Sequence, residues 1–339
     1  MRIRSVFAVL TALAICPVLA DELTETKPAS LAEAVVPPGL AIDVADDLAF
    51  QDVTRQRSVP YKAYFPAAGG PHPVIVFSHG FGGNKDAFAE AGRHWASHGY
   101  VVIHPSHTDG LGRRLREADA ADQEGPQRAR QGRLLQGLSD PARIADRVAD
   151  IVLVIDCLDK LPEAVPSLRG RVDAKRIGVG GHSFGAYTAM LIGGVTVDLG
   201  GDKGRSFRDE RVRCILPISG QGAGQQGLSE KSWAALTLPM MTITGTMDRG
   251  VGGQGVDWKK EPYRLSPPGD KYLVVIEGAN HFSFGGRLGG RSTGVSNVVI
   301  ALSTHFWDAY LKDSEVSQQY LQSDRPAQES DGEYEFERK

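Results

Sequence analysis

One serine in this chain has the local sequence of an activated nucleophile. Gly181-His182-Ser183-Phe184-Gly185 is a G-x-S-x-G motif, with a short apolar run before it and a run of helix formers after it. A serine between a strand and a helix lies on a tight turn, where flanking glycines remove side chains that would clash. The pattern predicts that the Ser183 hydroxyl is exposed at the carboxyl edge of a sheet, within reach of a base.

The same motif occurs a second time, at residues 290–294 around Ser292. No strand is predicted before this copy, and it follows the best histidine candidate, which reverses the usual chain order in such sites. We therefore interpret Ser292 as a turn or helix N-cap residue.

A base and an acid that orients it are expected at later strand ends. Serine is a poor nucleophile until a base takes its proton, and that base must be held by a third group. In strand–turn–helix hydrolases the acid follows the nucleophile in the chain and the histidine comes last. Two apolar runs fit this order, because residues 240–244 lead to Asp248 and residues 272–276 lead to His281. Glu277 is a weaker candidate for the acid, since it precedes the histidine by only four residues.

Attack by the serine would create an oxyanion, which needs preorganised N–H donors. One donor is expected to be the backbone amide of Phe184, the residue after the nucleophile. The other is expected in the glycine-rich loop after the first parallel strand, where residues 77–83 read F-S-H-G-F-G-G and Phe81 is the predicted donor. Four other histidines near these motifs are interpreted as structural or as pocket-lining groups: His79, His182, His104 and His107.

Apolar runs alternate with helical patterns along most of the chain. Strands are predicted at residues 48–65 (a hairpin), 73–77, 100–104, 176–180, 212–218, 240–244 and 272–276. Helices are predicted at residues 87–97, 141–161, 187–192 and 295–312. This alternation predicts an α/β fold with a mostly parallel sheet of about eight strands and helices on both faces. Ligands in such sheets bind outside the carboxyl ends of the strands.

Composition and the N-terminal residues restrict the class of protein. The chain has 339 residues, is 41% hydrophobic and carries a net charge of −3, so it has no basic excess to indicate nucleic-acid binding. Residues 1–20 have the pattern of a secretory signal, with Arg2 and Arg4 before an apolar run that is too short for a membrane span. Lipid anchoring at Cys16 is less favoured. The sequence therefore predicts a secreted or periplasmic protein without a stable membrane span.

The remaining sequence divides into four parts. Residues 21–45 are predicted to be a mobile leader, and residues 46–312 a catalytic domain. Residues 108–140 are rich in arginine and poor in apolar side chains, so they are predicted to be an excursion that borders the active-site edge. Residues 313–339 are acidic and polar, which predicts a disordered or loosely docked tail.

Cysteine and metal-binding patterns give little indication of further chemistry. Neither Cys157 nor Cys214 has a histidine nearby in the chain, and two buried thiols are favoured over a disulfide. No metal-ligand spacing is present, so no metal and no other cofactor is expected. The oligomeric state is left open.

Together the motifs resemble the α/β-hydrolase superfamily over residues 48–312. Within it, F-S-H-G-F-G at residues 77–82 and the motif around Ser183 look like the platelet-activating-factor acetylhydrolase and predicted dienelactone hydrolase group. True dienelactone hydrolases carry cysteine at the nucleophile position, whereas this chain carries serine. The resemblance implies a serine esterase that forms an acyl-enzyme and needs no cofactor.

A second resemblance is to bacterial cutinases and polyester hydrolases. The W-A-A-L-T-L-P run at residues 233–239 is similar to their tryptophan-to-proline spacing, and G-A-N-H-F at residues 278–282 is similar to their histidine loop. This resemblance implies that Trp233 stands at the rim of the site, with a core or capping tryptophan as the alternative. Since Phe81 and Phe184 are the predicted oxyanion donors, their rings are expected close to the scissile ester. We therefore expect substrate contacts from Phe81 and Trp233 in an apolar cleft lined by the three rings.

The sequence therefore predicts a secreted serine carboxylic-ester hydrolase that acts on a small-molecule or polymeric ester. A lipase-like or phospholipase-like acylhydrolase and a cutinase-like polyester hydrolase are alternatives within the same chemistry. An amidase or peptidase is a weaker alternative. A non-catalytic binding module with a hydrolase fold is also less favoured, because the set of Ser183, Asp248 and His281 is complete.

Overall fold

A computed structural model describes residues 39–109, 136–285 and 293–339 of the chain. Several predicted features lie outside the described residues: the signal segment 1–20 with Cys16, leader residues 21–38, most of the excursion (residues 110–135) and Ser292.

Nine strands of the described chain form one sheet, and two short strands form a separate hairpin. The strands are β1 (Ile42–Asp52), β2 (Arg57–Pro66), β3 (His72–Ser78), β4 (Val101–Pro105), β5 (Val172–His182), β6 (Val197–Leu199), β7 (Asp202–Arg205), β8 (Val212–Ile218), β9 (Met240–Gly245), β10 (Lys271–Ile276) and β11 (Tyr334–Arg338). The large sheet has the order β1-β2-β4-β3-β5-β8-β9-β10-β11.

The centre of the sheet is parallel, as predicted. Strands β4, β3, β5, β8, β9 and β10 run in one direction. The hairpin β1–β2 joins one edge and β11 joins the other, both antiparallel to their neighbours. Because the carboxyl ends of parallel strands share one edge, the loops after β3, β5, β9 and β10 come together there.

Helices cover both faces of the sheet. They are α1 (Ala89–Ser97), α2 (Pro141–Asp156), α3 (Leu161–Ala164), α4 (Phe184–Gly193), α5 (Val256–Leu265), α6 (Thr293–Leu311), α7 (Glu315–Gln322) and α8 (Arg325–Gln328). In β3, Val74 and Val76 pack in the core that includes α2 and α4, whereas Ile75 and Phe77 pack in the core that includes α1 and α6. A strand buried on both faces reads as a continuous apolar run, which is why its position was predictable.

Two predicted boundaries are wrong. Residues 42–45, assigned to the mobile leader, belong to β1 and pair with β2. Residues 313–339, predicted to be disordered or loosely docked, form α7, α8 and β11, and β11 pairs with β10. The polar composition of this segment hid its anchors, because Tyr320, Leu321 and Tyr334 are buried among polar and acidic neighbours in the sequence.

Two further features bear on the sequence predictions. Cys157 and Cys214 are free and buried, which agrees with the favoured interpretation as buried thiols. In the part of the chain that the structure describes, no helix has the length and apolar character that crossing a membrane requires.

Candidate active site

Ser183 occupies the tight turn between β5 and α4, as the motif predicts. Its backbone has φ 56° and ψ −116°, a conformation that costs a non-glycine residue on the order of 1–3 kcal/mol. A Cβ atom on Gly185 would overlap the Ser78 carbonyl oxygen, and one on Gly181 would overlap the Gly185 backbone. Glycine is therefore required on both sides of the serine.

His281 and Asp248 lie in line with the Ser183 hydroxyl. The His281 Nε2 atom is 3.0 Å from Ser183 Oγ, and its Nδ1 atom is 3.1 Å from Asp248 Oδ1. Thr244 Oγ1 donates to the other carboxylate oxygen at 3.0 Å. Because a carboxylate only accepts, it favours a proton on Nδ1, which leaves Nε2 free to accept the serine proton. This arrangement has the geometry for general-base activation of a serine.

The Asp248 carboxylate is held in its ionised form. Burial raises the pKa of Asp248, but the hydrogen bond from His281 and the nearby Lys259 ammonium together hold that pKa below its ordinary value. The competing acid Glu277 is exposed, and its backbone N–H donates to the Glu333 carbonyl. The structure thus brings Asp248, and not Glu277, to the histidine.

His182, interpreted as structural from sequence, supports the histidine loop. Its Nε2 atom lies 2.9 Å from the His281 carbonyl oxygen, and the two ring centroids are 4.9 Å apart. Burial, together with the charge of His281, lowers the pKa of His182 to about 3. The neutral ring donates to this carbonyl and so fixes the backbone that carries His281.

The two predicted oxyanion donors lie close to the nucleophile. Phe184 begins α4, and N–H groups in the first turn of a helix have no acceptor within that helix. The loop after β3 passes beside the serine, since a Cβ atom on Gly80 would lie 3.4 Å from Ser183 Cβ. Phe81 follows in that loop, and its ring meets the Phe184 ring edge-on with centroids 5.9 Å apart.

Arg147, a residue that the sequence analysis did not single out, binds the backbone of the loop after β3. The buried guanidinium donates to the His79 carbonyl at 2.8 Å and to the Gly80 carbonyl at 3.2 Å, and pairs with Asp109 at 2.9 Å. A trans peptide points its C=O and the next N–H in opposite directions. Holding the Gly80 carbonyl therefore turns the Phe81 N–H away from Arg147.

A second Ser–His–Asp chain of hydrogen bonds lies near the same edge of the sheet but is buried. Ser78 Oγ is 2.8 Å from His107 Nε2, and His107 Nδ1 is 2.9 Å from Asp150 Oδ2. Arg57 pairs with the same aspartate. All three members of this chain are buried, and Ser78 lies in β3 rather than on a turn, so no substrate can reach it. The interpretation of His107 as a pocket-lining group is wrong, and the same holds for the buried His104.

The prediction that Trp233 lies at the rim of the cleft is also wrong. Its side chain is 0% exposed and packs in a core cluster with Leu228 and Leu236, at the end of the short 3₁₀ helix Glu230–Trp233. The Phe184 ring is buried as well, with the Arg147 guanidinium 4.6 Å from its centroid. Large apolar side chains pack inward where a core is available, and only the backbone of Phe184 faces the site.

Two exposed apolar side chains replace the predicted ring cluster. Phe282, directly after His281, is 68% exposed, and Met247, directly before Asp248, is 60% exposed. The Phe282 ring stands edge-on to the His281 ring at 5.3 Å. The signal for both was their adjacency in sequence to the predicted site residues.

The two described ends of the predicted excursion reach the oxyanion loop. Asp109 pairs with Arg147, and a Cβ atom on Gly137 would lie 3.2 Å from the Phe81 ring. The Leu138 carbonyl accepts a hydrogen bond from Gln226. Within the described ranges, no cluster of three or more histidine, cysteine or acidic side chains is arranged to hold a metal ion.

Comparisons with known proteins give the classes of protein that this chain resembles. A family model described as platelet-activating factor acetylhydrolase, isoform II, matches residues 44–131. Platelet-activating factor acetylhydrolase of Canis lupus familiaris is 25% identical over 242 residues, covering 64% of this chain and 48% of that protein. Cutinase est2 of Thermobifida alba is 24% identical over 222 residues, covering 65% of this chain and 56% of that protein. The Bos taurus acetylhydrolase is 28% identical over 242 residues, covering 64% and 48%.

The chain thus spans about half the length of the curated relatives that it matches. The predicted resemblance to platelet-activating factor acetylhydrolases and cutinases is confirmed. The nine-stranded, mostly parallel sheet with helices on both faces is an α/β-hydrolase fold.

Proposed function

We propose that this protein is a serine carboxylic-ester hydrolase that works through an acyl-enzyme on Ser183. The observation that carries the proposal is the contact of Ser183 Oγ with His281 Nε2 at 3.0 Å, with His281 Nδ1 in turn 3.1 Å from the buried Asp248. The similarity to acetylhydrolases and cutinases supports the same reaction class.

In the proposed reaction, Ser183 Oγ attacks the ester carbonyl carbon while His281 Nε2 takes the hydroxyl proton. Asp248 stabilises the imidazolium, and the N–H groups of Phe184 and Phe81 bind the oxyanion. His281 then gives its proton to the leaving alcohol as the ester C–O bond breaks. Water, activated by the same histidine, attacks the acyl-enzyme and releases the acid. Water is the only co-reactant that the complete reaction requires.

The proposed substrate is an ester with an apolar part that rests on Phe282 and Met247. These side chains are more than half exposed and directly adjoin His281 and Asp248 in the chain, so an apolar acyl or alcohol group at the site could cover them. Lipase-like, phospholipase-like and cutinase-like activities remain alternatives within this proposal. Secretion, based on the signal pattern in residues 1–20, is part of the same proposal.

Hydrolysis of p-nitrophenyl esters of increasing acyl length tests the function directly. We expect turnover of the acetate ester and mass-spectrometric detection of one phosphonate adduct, on Ser183. Matched ester and amide analogues separate esterase from amidase activity. A folded protein that neither hydrolyses any ester nor takes up the phosphonate would be a binding module, and the proposal would be wrong.

Phe282→Ala should raise KM for bulky aryl or long acyl esters about 2- to 10-fold, because it removes a ring contact of roughly 0.5–1.5 kcal/mol. The effect on the acetate ester should be smaller, and thermal stability should not change, since the ring is exposed. Steady-state kinetics on paired short and long esters measure the difference.

Trp233→Ala serves as the matched aromatic control. It should destabilise the fold by about 3–5 kcal/mol, because it empties a buried site, and it should affect all esters alike. An equal loss on short and long esters in Phe282→Ala, or a chain-length effect confined to Trp233→Ala, would contradict the assignment of the apolar contact.

A further inference from the structure

We propose that Lys259 is a positioning residue that extends activity to lower pH, by repelling an additional proton from the Asp248–His281 pair. This inference rests on the proposed function and assigns a role to a side chain behind the reacting atoms.

The first observation is where the ammonium of Lys259 lies. Lys259 is on α5, and its side chain is only 2% exposed. Its Nζ atom donates to the Ser219 carbonyl at 3.1 Å and to Ser219 Oγ at 3.0 Å, and it lies 3.9 Å from Asp248 Oδ1. A buried ammonium is costly unless it is hydrogen-bonded and paired with a charge. The charge that pairs with Lys259 is the carboxylate that orients the candidate base.

The second observation is the backbone of Ser219, which links Lys259 to the histidine. Ser219 follows β8 with φ 53°, a left-handed conformation that is unfavourable for a non-glycine residue. This conformation accompanies a hydroxyl 2.9 Å from His281 Nδ1, while the same oxygen accepts from Lys259. The strained backbone of Ser219 and the buried ammonium of Lys259 are thus in direct contact. Each of the two residues also contacts the Asp248–His281 pair.

The charges around the pair decide the direction of the effect. The titratable and polar groups that face it are Lys259 from α5, His182 at the end of β5, Ser219 after β8 and Thr244 on β9. Burial keeps His182 neutral at ordinary pH, with a pKa of about 3. The Lys259 and Asp248 charges cancel while His281 is neutral, and protonation of His281 places a second cation near the ammonium.

Removing the lysine charge should therefore make the pair bind a proton at higher pH. The uncompensated Asp248 carboxylate would stabilise the imidazolium, and a protonated His281 cannot accept the serine proton. The acid side of the kcat/KM profile reports this protonation in the free enzyme. It should move to higher pH, while activity at alkaline pH changes less.

The experiment compares kcat/KM against pH for the wild type, Lys259→Met and Lys259→Gln on a p-nitrophenyl ester. Active-site concentrations come from phosphonate titration, and circular dichroism confirms folding at each pH. In both uncharged variants the acid midpoint should rise by about one pH unit. A shift of this size corresponds to about 1.4 kcal/mol of lost charge interaction. Rates are normalised to the active sites titrated at each pH, because a folded fraction that changed with pH would itself move the midpoint.

Two other lysines provide matched controls. Lys260, the next residue on α5, pairs with Glu335 at 3.4 Å outside the site. Lys271 is buried at the start of β10, at the opposite edge of the sheet, and donates to the Gly269 carbonyl. Lys260→Met and Lys271→Met should leave the acid midpoint unchanged.

The possible outcomes separate this inference from the proposed function. Absence of esterase activity in the wild type would refute the function, and this inference with it. Activity with an unmoved midpoint in Lys259→Met and Lys259→Gln would refute the inference alone. A shift in Lys259→Met but not in Lys259→Gln would show that a hydrogen bond, and not the charge, is what matters. If neither variant folds, Lys259→Arg should keep the wild-type midpoint, and a shifted midpoint there would overturn the inference.

Discussion

Ser183→Ala should lower kcat for a small acetate ester by about 10⁴- to 10⁶-fold, because the variant has no oxygen to form the acyl-enzyme. Binding and oxyanion stabilisation would account for the residual rate. The fold should persist, since alanine at this turn keeps the same positive φ and loses only the contact with His281. Single-turnover kinetics together with thermal unfolding measure both effects.

Ser78→Ala is the informative control for this change. Ser78 makes the same kind of contact with a histidine, His107, but it has no access to solvent. It should remain reactive toward a phosphonate and lose stability of about 1–3 kcal/mol, from a buried hydrogen bond left unmade. A phosphonate adduct on Ser78 or Ser292, or full activity in Ser183→Ala, would assign the nucleophile elsewhere.

Asp248→Asn should lower kcat by about 10⁴-fold while the site keeps its shape. An asparagine amide can turn its NH₂ group toward His281 Nδ1, which then accepts and leaves the ring proton on Nε2, where it blocks the serine. The variant would also leave the Lys259 ammonium without its carboxylate, 3.9 Å away in the native protein. The pH dependence of kcat/KM and a structure of the variant check this explanation.

Glu277→Gln is the paired control, because this carboxylate follows β10 but is exposed. Its activity should equal that of the wild type. If Glu277→Gln is more damaging than Asp248→Asn, the acid has been assigned to the wrong residue.

The sequence contained enough to place the candidate site because topology decides most of it. Strand β8, at Val212–Ile218, lies where it was predicted, and the runs before Asp248 and His281 are β9 and β10. Parallel strands open at one edge, so residues after them meet the Ser183 turn without any knowledge of side-chain packing. In the structure the side chains at these loops meet, with contacts of 3.0 and 3.1 Å.

Side-chain direction and buried charge were not predictable in the same way. Trp233 lies where an aromatic residue could face either the cleft or the core, and only the packed neighbours decide. The position of the Lys259 ammonium depends on its hydrogen bond to Ser219, which is 40 residues earlier in the chain. No local sequence pattern indicates a contact between residues so far apart. Arg147 did leave a signal, because it interrupts the apolar face of α2 between Ile144 and Val148.

Three buried histidines in and after strands β3 and β4 have a consequence for acid stability. Burial lowers the pKa of His79, His104 and His107, to about 4 for His104. The ordinary histidine pKa is about 6.5. The unfolded chain therefore takes up protons that the folded chain refuses once the pH falls below that value.

Stability from these three rings is complete above about pH 6.5 and is lost as the pH falls toward their folded pKa values, at up to about 4 kcal/mol per pH unit. Urea unfolding at pH 7.5 and pH 5.5 should show a large drop in midpoint, and equal midpoints would contradict the linkage. Part of the acid sensitivity of the fold therefore comes from histidines near the edge of the sheet that carries the candidate site. Proton uptake by these histidines sets a lower limit on the pH at which the protein stays folded. This limit is separate from the acid midpoint of kcat/KM that we assign to Lys259.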